Sequence, residues 1–142
     1  VSTNKKLAPY LIFELSQGAY ACLNAKERAI MKALRQLGCR FSVDNITDPH
    51  FNRGLLAELG VGFLKLSSER LKAFMGTDVS VSVMQRIKQQ LEKDKIAIIA
   101  ERIEDEAVLR EILDLELDYG QGFVFGQPEP FLDYFDKHEK VA

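Results

Sequence analysis

The chain has 142 residues, 46% hydrophobic and 28% charged, the make-up of a single soluble globular domain. Its formal net charge of −2 argues against a nucleic-acid surface, which needs a strongly basic balance, so neither DNA nor RNA is expected as a partner. The longest apolar runs, Ile96 to Ala100 and Phe123 to Phe125, are far too short to span a bilayer, and the opening VSTNKKLAPYLIFEL has no apolar core of secretory type.

Leu11 to Leu15 is apolar except for Glu14 and is expected to form a buried strand. Asn24 offers an N-cap with Glu27 three residues on, and Ala29, Ile30, Ala33, Leu34 and Leu37 form a helical stripe that Gly38 closes. Arg40 to Asp44 follows as a short strand. Asp48 is expected to cap the next helix, with Pro49 in its first turn and Phe51, Leu55, Leu56 and Leu59 on its apolar face. Gly60 ends that helix, and Val61 to Leu66 reads as a third strand interrupted by Lys65.

Ser67 and Ser68 start a short helical turn carrying Leu71 and Phe74, and Met75 to Asp78 reads as a loop. Val83, Ile87 and Leu91, spaced four apart, mark a long helix whose solvated end is Glu92 to Lys95. Lys95 to Ala100 is the clearest strand, with Glu101 at its end. Glu104 to Leu115 is expected to be a helix presenting Val108, Ile112 and Leu115. Asp118 to Phe125 reads as a fifth strand opened by glycines and stopped by Gly126 and Pro128; Phe131 to Lys137, with Phe131, Tyr134 and Phe135 on one stripe, reads as a terminal helix. The glycines around Gln121 serve either to bend the last strand or to open access for a ligand. The polar ends, Val1 to Lys6 and His138 to Ala142, are expected to fray.

Repeated strand–helix units indicate an α/β fold with a parallel sheet. The expected organisation is an N-terminal extension over 1–10, the domain over 11–137 and a tail over 138–142. Cys22 and Cys39 lack metal-ligand spacing and a disulfide-framework count, so both are expected reduced, in the cytoplasm. His50 and His138 have no partner at ligand spacing and read as surface residues.

Each strand delivers one polar group at or near its C-terminal end: Glu14, Asp44, Lys65, Glu101 and Gln121. In an α/β barrel those ends converge on one mouth, where the chemistry sits. Carboxylates hold Mg²⁺ or a similar hard ion, a lysine offsets phosphate charge, and a further glutamate activates water, so the set suits metal-assisted phosphodiester chemistry.

The sequence resembles the EAL-domain cyclic di-GMP phosphodiesterases. FELSQ at Phe13 to Gln17 is similar to the family's E-x-T-E segment, SVDNIT at Ser42 to Thr47 to D-D-F-G, and FLKLS at Phe63 to Ser67 to K-I-D. IIAERIED at Ile98 to Asp105 resembles I-A-E-G-V-E, and DYGQGFVFGQP at Asp118 to Pro128 resembles D-Y-G-Q-G-Y-L-F-G-x-P. The resemblance implies a TIM-barrel-type (β/α) fold, of which this chain supplies about five of eight strand–helix units. It implies Glu14 and Asp44 as metal ligands, Lys65 as the lysine near the phosphate and attacking water, and Glu101 as general base. Glu104 would be a supporting carboxylate and Gln121 an active-site amide. Phe125, Gln127 and Pro128 are expected at the mouth.

The departures from the pattern fall on the chemistry. The E-x-L motif and the asparagine ligand after it would lie before Val1. Asn45 stands where the second aspartate of D-D-F-G holds a second metal, and Gln17 where E-x-T-E has its second glutamate. Ile46 to Pro49 replace the glycine loop that the family links to catalysis and dimer coupling. Arg102 replaces a glycine beside Glu101, where its guanidinium has Glu101, Glu104 or a ligand phosphate as partners.

The expectation is therefore a non-catalytic EAL-like signalling module in bacterial control of motility or attachment. It would act as a cyclic di-GMP receptor or as a protein-interaction domain, with Mg²⁺ or Mn²⁺ weakly bound or not required. The alternative is an active metal-dependent phosphodiesterase completed by an upstream segment. Five strands leave two open sheet edges, to be covered by that segment or by a second copy of the chain; the segment is favoured because domains rarely begin in mid-barrel.

Overall fold

The computed structural model describes residues 5–48, 51–75 and 78–128. The expected terminal helix, the tail, His50 and His138 lie outside the described residues. A 3₁₀ turn at Lys5–Tyr10 leads into β1 (Ile12–Ser16), α1 (Gln17–Ala21), α2 (Ala25–Gln36), β2 (Arg40–Asp44), α3 (Arg53–Leu59) and β3 (Val61–Ser67). Then follow α4 (Ser68–Met75), α5 (Asp78–Lys93), β4 (Ala97–Glu101), α6 (Glu106–Leu113) and β5 (Tyr119–Gly120). The five strands pair in parallel and in chain order, β1-β2-β3-β4-β5. That is the singly wound arrangement of an incomplete (β/α) barrel, with every strand ending on the same rim.

Residue alternation divides the sheet into two faces. Phe41, Val43, Leu64, Leu66, Ile98 and Ala100 join Leu56, Leu59, Leu71 and Ile112 of the helices in one core. Each fully buried leucine or isoleucine there contributes about 1.5–3 kcal/mol. Between Phe41 and Ser42 the β3 partner steps from Val61 to Phe63, so Gly62 is an extra residue in β3. After this bulge Leu64 and Leu66 face the helices, and Lys65 projects from the opposite face.

The caps are written in the sequence. Asn24 and Glu27 form the reciprocal capping box of α2, and Gly60 ends α3 in the left-handed conformation with φ 78°. Three expectations need correction. α3 starts at Arg53 with Asn52 as its cap rather than at Asp48, because the Asp48 backbone is engaged by Gln17. β1 is an edge strand, not a buried one: Ile12 is 45% and Phe13 37% exposed, since only β2 pairs with it. β5 is two residues long instead of running to Phe125.

Gly122 gives the reason for the short β5. After Gln121 donates its N–H to Ala100 O (2.8 Å), the chain folds over β4, and Ile103 binds Gln121 O and Val124 N on either side of Gly122. A Cβ at Gly122 would collide with the Ile103 backbone. The bend needs this glycine. Gly122→Ala is expected to lower stability by about 1–3 kcal/mol or more through overpacking. Urea denaturation checks this, and an unchanged midpoint contradicts it.

Candidate functional site

The rim formed by the strand ends collects the polar residues that interrupt the strands. Lys65 lies at the centre, with its side chain only 10% exposed. Its Nζ donates to Glu14 Oε2 at 2.9 Å and stands 3.5 Å from Glu101 Oε2. Ser42 Oγ adds a long contact of 3.4 Å to the same Glu14 oxygen. One ammonium thus joins β1, β3 and β4. Asp44, at the end of β2, shares a side-chain hydrogen bond with Glu14.

The charges order the protons. The hydrogen bond from Lys65 holds Glu14 below the ordinary glutamate range. Burial pushes Asp44 up, reinforced by the hydrogen bond to Glu14 and by the charges of Glu14 and Glu101. Burial opposes the charged form of Lys65, but Glu14 and Glu101 outweigh it and raise its pKa. Lys65 therefore stays an ammonium, and the surroundings favour the charged form of Glu14 and the neutral form of Asp44.

Two cavities open beside this network. One, of about 150 Å³, is lined by Asn45, Ile46, Ser67, Glu69, Arg70, Glu101 and Arg102. The other, of about 170 Å³, is lined by Glu101, Arg102, Glu104, Gln121, Gly122 and Phe123. Glu101 and Arg102 wall both. The structure thus places Glu14, Asp44, Lys65 and Glu101 in one network, and Glu104, Gln121 and Arg102 around the adjoining cavity. Phe123, not Phe125, meets that cavity. The pairing of Arg102 with Glu101 or Glu104 does not form: among the described residues its side chain makes no ion pair.

Sequence reading missed Ser42, Ser67 and Arg70. For Ser67 a signal was available, because it occupies the aspartate place of the K-I-D pattern. Gln17 also has a definite role. Its Oε1 accepts from Thr47 N (2.8 Å), Thr47 Oγ1 (3.2 Å) and Asp48 N (3.2 Å), while its Nε2 donates to Asp48 O (2.7 Å). An amide can do both, whereas an ionised glutamate only accepts. Gln17 clamps the loop after β2, and that loop holds Asn45 at φ 49°.

The EAL domain profile matches residues 1–128. The chain belongs to the EAL domain family. It is 31% identical over 97 residues to the cyclic di-GMP phosphodiesterase PdeA of Borreliella burgdorferi, covering 68% of this chain and 14% of that protein. It is 25% identical over 148 residues to the cyclic di-GMP phosphodiesterase PdeF of Escherichia coli, covering 99% of this chain and 20% of that protein. The chain thus spans a fifth or less of the length of these two relatives. Among solved structures, the EAL enzyme Bd1971 in its cAMP- and cyclic-di-GMP-bound form superposes with a TM-score of 0.72 at 19% identity, covering 96% of this chain and 37% of that one. The Bacillus subtilis YkuI protein, solved with cyclic di-GMP and calcium, gives 0.67 at 22% identity, covering 94% and 36%. These likenesses establish the EAL-type barrel fold.

Among the described residues, no three His, Cys, Asp or Glu side chains stand close enough together to hold a metal ion. No helix among them is long and apolar enough to cross a membrane.

Asp44 gives a test of the network. Its folded pKa is raised, so its favourable contribution is complete at low pH and is lost as pH rises through the folded value. At neutral pH its ionised form opposes the fold. Glu14 has the opposite sign: its contribution is present at neutral pH and lost as pH falls through its lowered value. Asp44→Asn, which keeps a donor toward Glu14, is expected to raise the melting temperature in EDTA at pH 7. The gain should vanish below about pH 3.9, the ordinary aspartate pKa. Melting curves across pH check this, and a lower melting temperature than wild type at pH 7 contradicts it.

Proposed function

We propose that this chain is a non-catalytic EAL module that binds cyclic di-GMP in bacterial second-messenger signalling and does not cleave it. The observation that carries this reading is the loss of two carboxylates at the mouth. Asn45 and Ser67 line the polar cavity where the family pattern has two aspartates. Cleavage of a phosphodiester by a pair of divalent ions needs both held about 3.5–4 Å apart, and Mg²⁺ demands a nearly ideal octahedral shell. The remaining carboxylates do not suit that task, since Lys65 already lies between Glu14 and Glu101.

Family membership and the two phosphodiesterase relatives support cyclic di-GMP as the ligand. Gln121, Glu104 and Arg102 would meet it at the second cavity, and Lys65 would face a phosphate from the rim. If Mg²⁺ or Mn²⁺ binds, Glu14 and Asp44 are its donors, and it would supply charge to a phosphate.

Incubation with Mg²⁺ or Mn²⁺ tests the reading. Cyclic di-GMP is expected to remain intact while titration calorimetry detects its binding. Linear dinucleotide above a no-protein control contradicts the non-catalytic part. Absence of heat at micromolar ligand contradicts the receptor part.

A further inference from the structure

Arg102 combines three unusual properties. Its backbone lies in the left-handed region at φ 58°, which is disfavoured for a residue with a Cβ. Arg102 lines both cavities and, among the described residues, its side chain has no ion-pair partner. The backbone is pinned from both directions: Ser68 Oγ donates to Arg102 O at 3.1 Å, and Ile103 N donates to Gln121 O at 3.1 Å. Ser68 is buried. A strained conformation held by its surroundings at a cavity wall points toward a function for the side chain it carries.

The cavity's charge has shifted toward the positive. Relative to the family pattern, Asn45 and Ser67 each remove a carboxylate, and Arg102 adds a guanidinium where glycine has no side chain. Arg70, on α4, brings a second guanidinium to the same wall. Two carboxylates also line the cavity. Glu101 is matched by Lys65 at 3.5 Å, and Glu69, like Arg70 and Arg102, is exposed to water. Beside them stand Arg102 and Arg70, which make no side-chain ion pair among the described residues, with an amide and a hydroxyl. These groups suit a tetrahedral oxyanion, which guanidinium forks bind bidentately. They do not suit a divalent cation.

We propose that Arg102 and Arg70 form a phosphate seat at the mouth that works without a metal ion, the guanidinium charge standing in for the cation. The proposal deepens the receptor reading and rests on it for the identity of the ligand, but its own readout is separate. The seat's phosphate is either free inorganic phosphate or the phosphodiester of a cyclic dinucleotide.

The test titrates inorganic phosphate and cyclic di-GMP separately, in EDTA, into wild type, Arg102→Gly and Arg102→Lys. Wild type is expected to bind at least one of the two probes with EDTA present, more weakly as salt rises. Arg102→Gly should lose about tenfold or more in affinity, as for a lost charged hydrogen bond, and Arg102→Lys should keep part of it. The glycine variant should melt at or above the wild-type temperature, because it releases the left-handed strain, and this separates a binding role from a structural one. Binding of phosphate alone supports the seat and contradicts the receptor reading. Affinity unchanged in Arg102→Gly, binding that requires Mg²⁺, or no binding of either probe overturns the seat.

Discussion

Lys65 places an ammonium group where only a tenth of its side chain meets water, and that requires carboxylates around it. Glu14 at 2.9 Å and Glu101 at 3.5 Å supply them from β1 and β4, on either side of β3. The need runs both ways. Without the lysine, the carboxylates of Glu14, Asp44 and Glu101 would crowd one rim, and without the carboxylates the enclosed ammonium would be left uncompensated. The bulge at Gly62 makes the arrangement possible, because it sets which face of β3 Lys65 occupies. The lowered pKa of Glu14 and the charge balance of the mouth follow from this one internal cation.

The segments around the rim are fixed by backbone contacts more than by side-chain packing. Gly122 lets the chain fold onto Ile103, Ser68 holds the carbonyl of Arg102, and Gln17 ties α1 to the loop carrying Thr47 and Asp48. Asn45 and Arg102 both occupy left-handed backbone within this frame. Asn tolerates that region better than most residues, whereas Arg does not, so the two positions differ in how much their surroundings must impose. The backbone of the mouth is held by these hydrogen bonds, and its chemistry is set by which side chains that backbone carries.

Much of this was legible in the sequence. The Asn24–Glu27 capping box, the Gly38 and Gly60 stops and the five strand cores follow from local rules, and the strand-end pattern named polar residues that the fold gathers at one rim. The errors have physical causes. An apolar strand such as Leu11 to Leu15 reads as buried, but burial depends on which strand lies beside it. Asp48 is a good cap by type, yet Gln17, thirty-one residues away, claims its backbone. Gly122 reads as part of a strand until the Ile103 backbone is placed against it. Arg70 carried no signal, because only the fold brings α4 to the same cavity as Arg102.

Electrostatics favours a fixed cation and an anion-accepting wall at the place where the family pattern gathers carboxylates. The EAL scaffold is retained in this chain, and the charge of its mouth has changed. The most direct test is to count manganese ions by equilibrium dialysis, with electron paramagnetic resonance on the same samples. The account predicts fewer than two ions per chain and no exchange coupling between them. Two ions per chain with a coupled signal would contradict it.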